Sequence, residues 1–333
     1  MTNPARRSDH QNVSFTVSVL IPFHKWDQEV NRCVQSCLRQ SYPVTEIILL
    51  PDDPLEVEVA PCVEIVTGPV FPGQKRNRGL QACTASITAC IDSDAVADQD
   101  WVCNAVQFFS DTSIAVVGGP NLPPSTATEF ELAGWEVLSS PLLAGPLASR
   151  YRQVPAHDRL EVQSSNMFIR TDRIKARGGF REDLLTGEDT DLCFSFKEQG
   201  LRVFYSPDVV VKHRPRSLFG PHMKQMFQYA RDQAQVLHHI SFTKGLLWFT
   251  PGLFSLLIAL LVCLLFFGIT SPLLFCSILY FFWTMIGAIW HGNMRRFPLR
   301  WFGAMATHFS YGLGFWFGVW TRLNKKTDSG ASH

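Results

Sequence analysis

The sequence predicts an α/β protein: a mostly parallel sheet covered by helices, followed by C-terminal transmembrane helices. Three observations carry this expectation. Short β-branched apolar runs alternate with helix-period segments from residue 16 to residue 118, and such alternation implies βαβ units. No Asp or Glu occurs from residue 233 to residue 327, where Phe, Leu and Trp crowd together. Within that stretch, residues 245–269 and 272–290 carry no charge, and each is long enough for the ~20 residues that a hydrocarbon core requires.

Composition narrows the classes. The 333 residues suit one large domain or two ordinary ones. Thirty Lys and Arg against 29 Asp and Glu leave a net charge of +1, which gives no argument for nucleic-acid binding. A hydrophobic share of 46% excludes disorder over most of the chain. The nine Cys show no CxxC pair, so buried thiols are expected rather than zinc or a disulfide framework. The first fifteen residues are polar and lack the apolar core of a signal peptide.

Residues 1–14 read as a disordered tail. TVSVLIPF, residues 16–23, is a buried strand. Residues 28–40 place Val30, Val34, Cys37 and Leu38 at helical spacing. Residues 45–50 and 63–67 are strands, and residues 73–83 form a helix after a Pro-Gly turn. Residues 87–91 form a strand running straight into Asp92-Ser93-Asp94. An amphipathic helix at 101–109 precedes a strand at 114–118. The pattern then loosens: residues 121–155 read as a loop with a helix against lipid or core. A strand resumes at 166–171, a helix at 189–199, short strands at 202–205 and 209–211, and a mixed helix at 221–239. A third candidate span covers 301–320. Lys244, Arg295, Arg296 and Arg300 flank these spans, and the positive-inside rule places them in the cytosol. The expected organisation is a cytosolic domain at 15–243, a membrane domain at 244–322 and a polar tail at 323–333. That makes a multi-pass inner-membrane protein with its main domain facing the cytoplasm.

Chemistry concentrates at strand ends, where ligands bind in such sheets. Asp92 and Asp94 lie two apart, so on an extended chain their carboxylates point the same way and converge on Mg²⁺ or Mn²⁺. The bland alternative is an Asx turn. Asp52 and Asp53 end the second strand. Lys75, Arg76, Asn77 and Arg78 lie on a helix where cations meet phosphate, or form an exposed basic face. Glu188, Asp189 and Asp191 open a helix, where acids also complement the dipole. His213 follows a strand; Gln228 and Arg231 lie in the last helix of this part.

The ordered motifs VSVLIPF, LLPDD, GQKRNRGL, IDSDA, GEDTDL and VVVKHRPR resemble an inverting family 2 glycosyltransferase of GT-A fold, over roughly residues 16–235. The resemblance implies a Rossmann-like GT-A sheet and a hexosyltransferase using a nucleoside diphosphate sugar, a UDP-sugar foremost. It implies donor contacts from Pro22, Phe23, Asp52 or Asp53, Arg76, Asp92, Glu188, Gln228 and Arg231. It makes Asp94 the metal ligand, helped by His213, and Asp189 the catalytic base. QYAR, with Gln228 and Arg231, matches part of a motif of processive synthases, but Asp232 stands where those have Trp. With a membrane tether, a lipid or lipid-linked acceptor at the bilayer surface follows, and no nucleic acid. The competing readings are a membrane-anchored nucleotide-sugar-binding module without turnover and a nucleotidyltransferase. The latter lacks a Gly-rich loop after the first strand.

Overall fold

The computed structural model describes residues 14–56, 58–236 and 271–330. The alternating part yields β1 (Val17–Pro22), α1 (Gln28–Leu38), β2 (Glu46–Leu50), β3 (Val63–Glu64) and α2 (Pro72–Ala82). It continues with β4 (Ile87–Ile91), β5 (Ala95–Ala97), α3 (Trp101–Val106), β6 (Ile114–Gly118) and β7 (Asn121–Leu122). The segment read as loosened holds α4 (Glu129–Ser139), α5 (Pro141–Ala144) and β8 (His157–Asp158). Then follow β9 (Asn166–Arg170), α6 (Thr171–Arg177), α7 (Glu188–Glu198), β10 (Arg202–Tyr205), β11 (Val211–His213) and α8 (Gly220–Val236). Two further helices are α9 (Ser271–Trp290) and α10 (Phe297–Gly330).

The main sheet has eight strands in the order β3-β2-β1-β4-β9-β6-β10-β8. β1 runs parallel to β2 and β4, and β6 parallel to β10. β9 enters antiparallel between β4 and β6, so the sheet is mostly parallel, as expected. Alternate residues of β1 serve opposite faces, as a pleated strand requires. Val17, Val19 and Ile21 join the core beneath α1 and α3, whereas Leu20 joins the core with Leu80 of α2 and Leu192 of α7. Both faces are covered, which is why β1 and β4 read as apolar runs. Helix α1 starts where Asp27 Oδ1 accepts the amides of Glu29 and Val30, each at 2.9 Å. It buries Val30, Cys33, Val34 and Cys37, so the paired cysteines are core thiols.

The segment 121–155, expected as a loop with a helix, holds α4 as well as the short α5. Thr128 Oγ1 accepts the Glu131 amide at 3.3 Å, and Glu131 Oε2 accepts the Thr128 amide at 2.7 Å. That reciprocal cap is visible in sequence as Thr-x-x-Glu.

The expected multi-pass placement in the inner membrane is corrected. Among the described residues no helix is long and apolar enough to cross a membrane. The first candidate span, 245–269, lies outside the described residues. The other two are α9 and α10, and the physical reason for the misreading lies in what α10 packs against. Arg300 is fully buried and donates to Glu136 of α4 and to the Ala288 carbonyl. His222 Nε2 of α8 lies 2.8 Å from Thr307 Oγ1. Gly314 and Gly318 lie so close to α8 that a Cβ on either would sit 2.2 Å from the carbonyl oxygen of Phe227 or Arg231. Apolar composition here serves protein packing as well as surface: Phe275, Ile278, Phe282 and Ile286 of α9 stay exposed.

Candidate active site

The acidic pair sits where β4 ends. Its turn is closed by the Ala95 amide donating to the Asp92 carbonyl at 3.0 Å. β5 then pairs antiparallel with β11, with Ala95 opposite His213. This register sets the imidazole beside the acids: His213 Nε2 lies 2.9 Å from Asp94 Oδ1. Arg216 Nη2 lies 3.5 Å from the other Asp94 oxygen. Burial opposes the Asp94 charge, but His213 and Arg216 outweigh it and hold the carboxyl at about 2. Burial likewise disfavours a charged His213, yet Asp94 and Asp92 raise its pKa above the ordinary value. One ligand atom each from Asp92, Asp94 and His213 lie within 4.8 Å of one another. Two carboxylate oxygens and an imidazole nitrogen suit a hard or borderline divalent cation.

Arg76 ties this turn to α7. It is 2% exposed, and its two Nη atoms reach Asp92 at 3.0 Å and Glu188 at 2.7 Å. Lys75 is equally buried and donates to the Phe23 carbonyl at 2.6 Å and to Asp52. These two cations face inward, which excludes an exposed basic face for them, while Arg78 is exposed. Gly187, at φ +89°, precedes α7 in the left-handed region that glycine tolerates. The turn presents Glu188 and Asp189 in the first helical turn. Burial and the neighbouring Asp189 push Glu188 up to about 7, against Arg76. Asp189 is oriented by the amides of Ser164, at 3.0 Å, and Thr190, at 2.7 Å.

Arg76, Asp92, Glu188, Asp189 and His213 all line one cavity. Asp94 joins them through its bond to His213. Pro22, Phe23, Asp52 and Asp53 lie at the ends of β1 and β2, apart from that cavity's lining. Asp52 is held there by Lys75 and by His24 Nδ1 at 2.7 Å, while Asp53 is exposed. Gln228 and Arg231 are not lining residues either. Arg231 pairs with Asp232 at 2.5 Å, and Asp232 accepts from Thr186 Oγ1 at 2.8 Å. Gln225, Tyr229 and Gln233 of α8 do line the cavity. Their four-residue spacing puts them on one helix face, a signal present in the sequence. Sequence reasoning also missed Lys75 as the Asp52 partner and Ser164, whose hydroxyl reaches Glu188 at 3.2 Å. Both contacts join residues far apart in the chain.

Residues 87–290 match the sequence family described as glycosyl transferase family group 2. The chain is 34% identical over 147 residues to a pre-mycofactocin glycosyltransferase of Mycobacterium tuberculosis, covering 44% of this chain and 30% of that protein. The chain thus spans under a third of that relative's length. It is 22% identical over 268 residues to a Methanococcus voltae protein named dolichyl N-acetyl-alpha-D-glucosaminyl phosphate 3-beta-D-2,3-diacetamido-2,3-dideoxy-beta-D-glucuronosyltransferase, covering 74% of this chain and 81% of that one. The mannosyltransferase PcManGT from Pyrobaculum calidifontis, solved with GDP-Man and Mn²⁺, superimposes with a TM-score of 0.59 at 14% identity, over 89% of this chain and 86% of that chain. That likeness shows the GT-A-like fold.

Proposed function

The chain belongs to glycosyl transferase family group 2, and on that premise we propose that it moves a sugar from a nucleoside diphosphate sugar to a lipid-linked acceptor, with inversion and with a divalent cation. The observation that carries the proposal is the shared cavity: Asp189 lines it together with Asp92 and His213, two members of the cation-capable cluster. The donor class is supported by PcManGT, solved with GDP-Man, and the acceptor class by the dolichyl-linked substrate in the name of the Methanococcus relative.

Asp94 and His213, with Asp92, would hold Mn²⁺ or Mg²⁺. A bound cation supplies positive charge where the departing diphosphate becomes negative. The chain's own residues do the rest. Arg76 fixes Asp92 and Glu188 in one rigid unit. Burial beside Asp189 raises the Glu188 pKa, which favours its neutral form and lowers the negative charge beside the reacting centre. Asp189 takes the proton of an acceptor hydroxyl. The hydroxyl oxygen attacks the anomeric carbon opposite the leaving group, the bond to the diphosphate oxygen breaks, and its electron pair leaves with the nucleotide. Asp52, held by Lys75 after β2, is in this reading the contact for the nucleoside.

The test incubates the purified full chain with UDP- and GDP-sugars, with Mn²⁺ or with EDTA, and follows nucleotide release. Turnover is expected with the cation. Both Asp94→Asn and His213→Ala are expected to lower it about 100-fold or more. Equal turnover in EDTA, or by those variants, removes the cation assignment. No consumption of any donor removes the transferase reading.

A further inference from the structure

Aromatic side chains make part of the wall of the cavity that Asp189 lines, its aromatic lobe. Trp135 of α4, Tyr151 after the α5 segment, Tyr229 of α8 and Tyr311 of α10 line it, each half-buried. Amides accompany the rings: Gln225 Nε2 donates to the Tyr229 hydroxyl at 3.0 Å, and the Tyr311 hydroxyl donates to Gln233. The cations near the lobe already face acids. Arg150 pairs with Glu161, which is 1% exposed and also accepts from Thr190 Oγ1 at 2.5 Å. Arg214 pairs with Glu131 at 2.9 Å, and Arg76 with Glu188 and Asp92. Asp189 and Glu188 line the same cavity.

A phosphate oxygen entering as nucleophile would meet these acids and would have to compete with Glu161 for Arg150. A sugar ring suits the lobe better. Its C–H face stacks on aromatic rings, and its hydroxyls exchange hydrogen bonds with planar amides and phenols. We propose that this lobe is an acceptor subsite for a neutral, hydroxyl-bearing sugar ring, so that the transferred sugar forms a glycosidic bond to a saccharide and not a glycosyl phosphate. The proposal rests on the transferase reading and specifies its acceptor: the lipid-linked molecule presents a sugar, whose proton goes to Asp189. Tyr311 gives the C-terminal helix α10 a part in choosing that acceptor.

The experiment uses the full chain, Mn²⁺ and whichever nucleotide sugar it hydrolyses without acceptor. Octyl glycosides of glucose, mannose and N-acetylglucosamine are compared with farnesyl phosphate and octanol. At least one glycoside is expected to accept with kcat/KM about tenfold or more above farnesyl phosphate and octanol, the ratio that a single well-made contact supplies. Its product is expected to resist the mild acid that cleaves glycosyl phosphates. Preference for farnesyl phosphate, octanol performing as well as the glycosides, or transfer to none of them overturns the proposal while donor hydrolysis leaves the transferase reading standing. Absence of any donor consumption sinks that reading, and the proposal with it. In a second arm, Tyr229→Ala is expected to raise the glycoside KM about tenfold while the donor KM moves by about threefold at most, and Tyr229→Phe is expected to restore the glycoside KM. Equal changes in both constants, or none in the glycoside KM, also overturn it.

Discussion

Asp189 is held by two backbone amides, from Ser164 and Thr190, so its orientation does not depend on a mobile side chain. Asp189→Asn keeps the shape and one of the two amide contacts, since its amide nitrogen accepts no hydrogen bond, and it cannot take a proton. Its turnover is expected to fall ~10²–10⁴-fold, with donor binding, measured by calorimetry, nearly unchanged. Retained turnover would remove Asp189 from the base role. Glu188 makes a different prediction. Its carboxyl rises from the ordinary 4.5 to about 7 because it is buried beside Asp189. The folded state therefore binds this proton more tightly than the unfolded chain. The stability it contributes is fully present below about 4.5 and is lost as pH rises towards about 7. The melting temperature of the metal-free chain is expected to decline across that window, and Glu188→Gln to flatten the decline. An unchanged slope in the variant would assign the titration elsewhere.

Between elements, the contacts that matter most join α4, α8 and α10. Glu136 of α4 accepts from Arg300 Nη1 at 2.6 Å and from Arg296 Nη2 at 2.6 Å, and the Arg300 side chain is fully buried. Burial opposes the Glu136 charge, but the two arginines outweigh it and hold the carboxyl below its ordinary pKa. Removing one partner of a buried pair leaves the other charge poorly compensated, at a cost of about 3–5 kcal/mol. Because Arg296 remains, Arg300→Leu is expected at the lower end of that range by urea denaturation. A change within experimental error would show that α4 and α10 do not depend on this pair. Gly314 tests the neighbouring contact. Its missing Cβ admits the Phe227 carbonyl, which would otherwise lie 2.2 Å away. Gly314→Leu must push α10 off α8 and is expected to cost about 1–3 kcal/mol. Since Tyr311 precedes it by one turn, the same variant is expected to weaken acceptor use more than donor hydrolysis, read as the ratio of the two rates.

For the whole molecule, what was legible follows from how local each signal is. The strands at 16–23, 87–91 and 114–118 could be read because β1, β4 and β6 are buried on both faces and must be apolar throughout. β5, β7 and β8 run to only two or three residues, too short for periodicity to register. The antiparallel entry of β9 could not be read, because strand pairing joins residues ~80 positions apart and leaves no local mark. The acids were legible as motifs, and the fold sets Asp92, Asp94 and His213 together through the β5–β11 register. The aromatic lobe was not, since its four rings come from four segments. Composition misled over α9 and α10, because an apolar helix reads alike whether lipid or protein covers it; the buried Arg300 and the tight glycine contacts mark α10 as a packing element. By itself the sequence determined the layered α/β sheet, the strand ends that carry the acids, and the family, because each is written in short stretches of neighbouring residues. The tertiary structure alone decided which of those acids share a cavity, which aromatic rings line it with them and what the C-terminal helices lean on, because these depend on contacts between segments that the chain order keeps far apart.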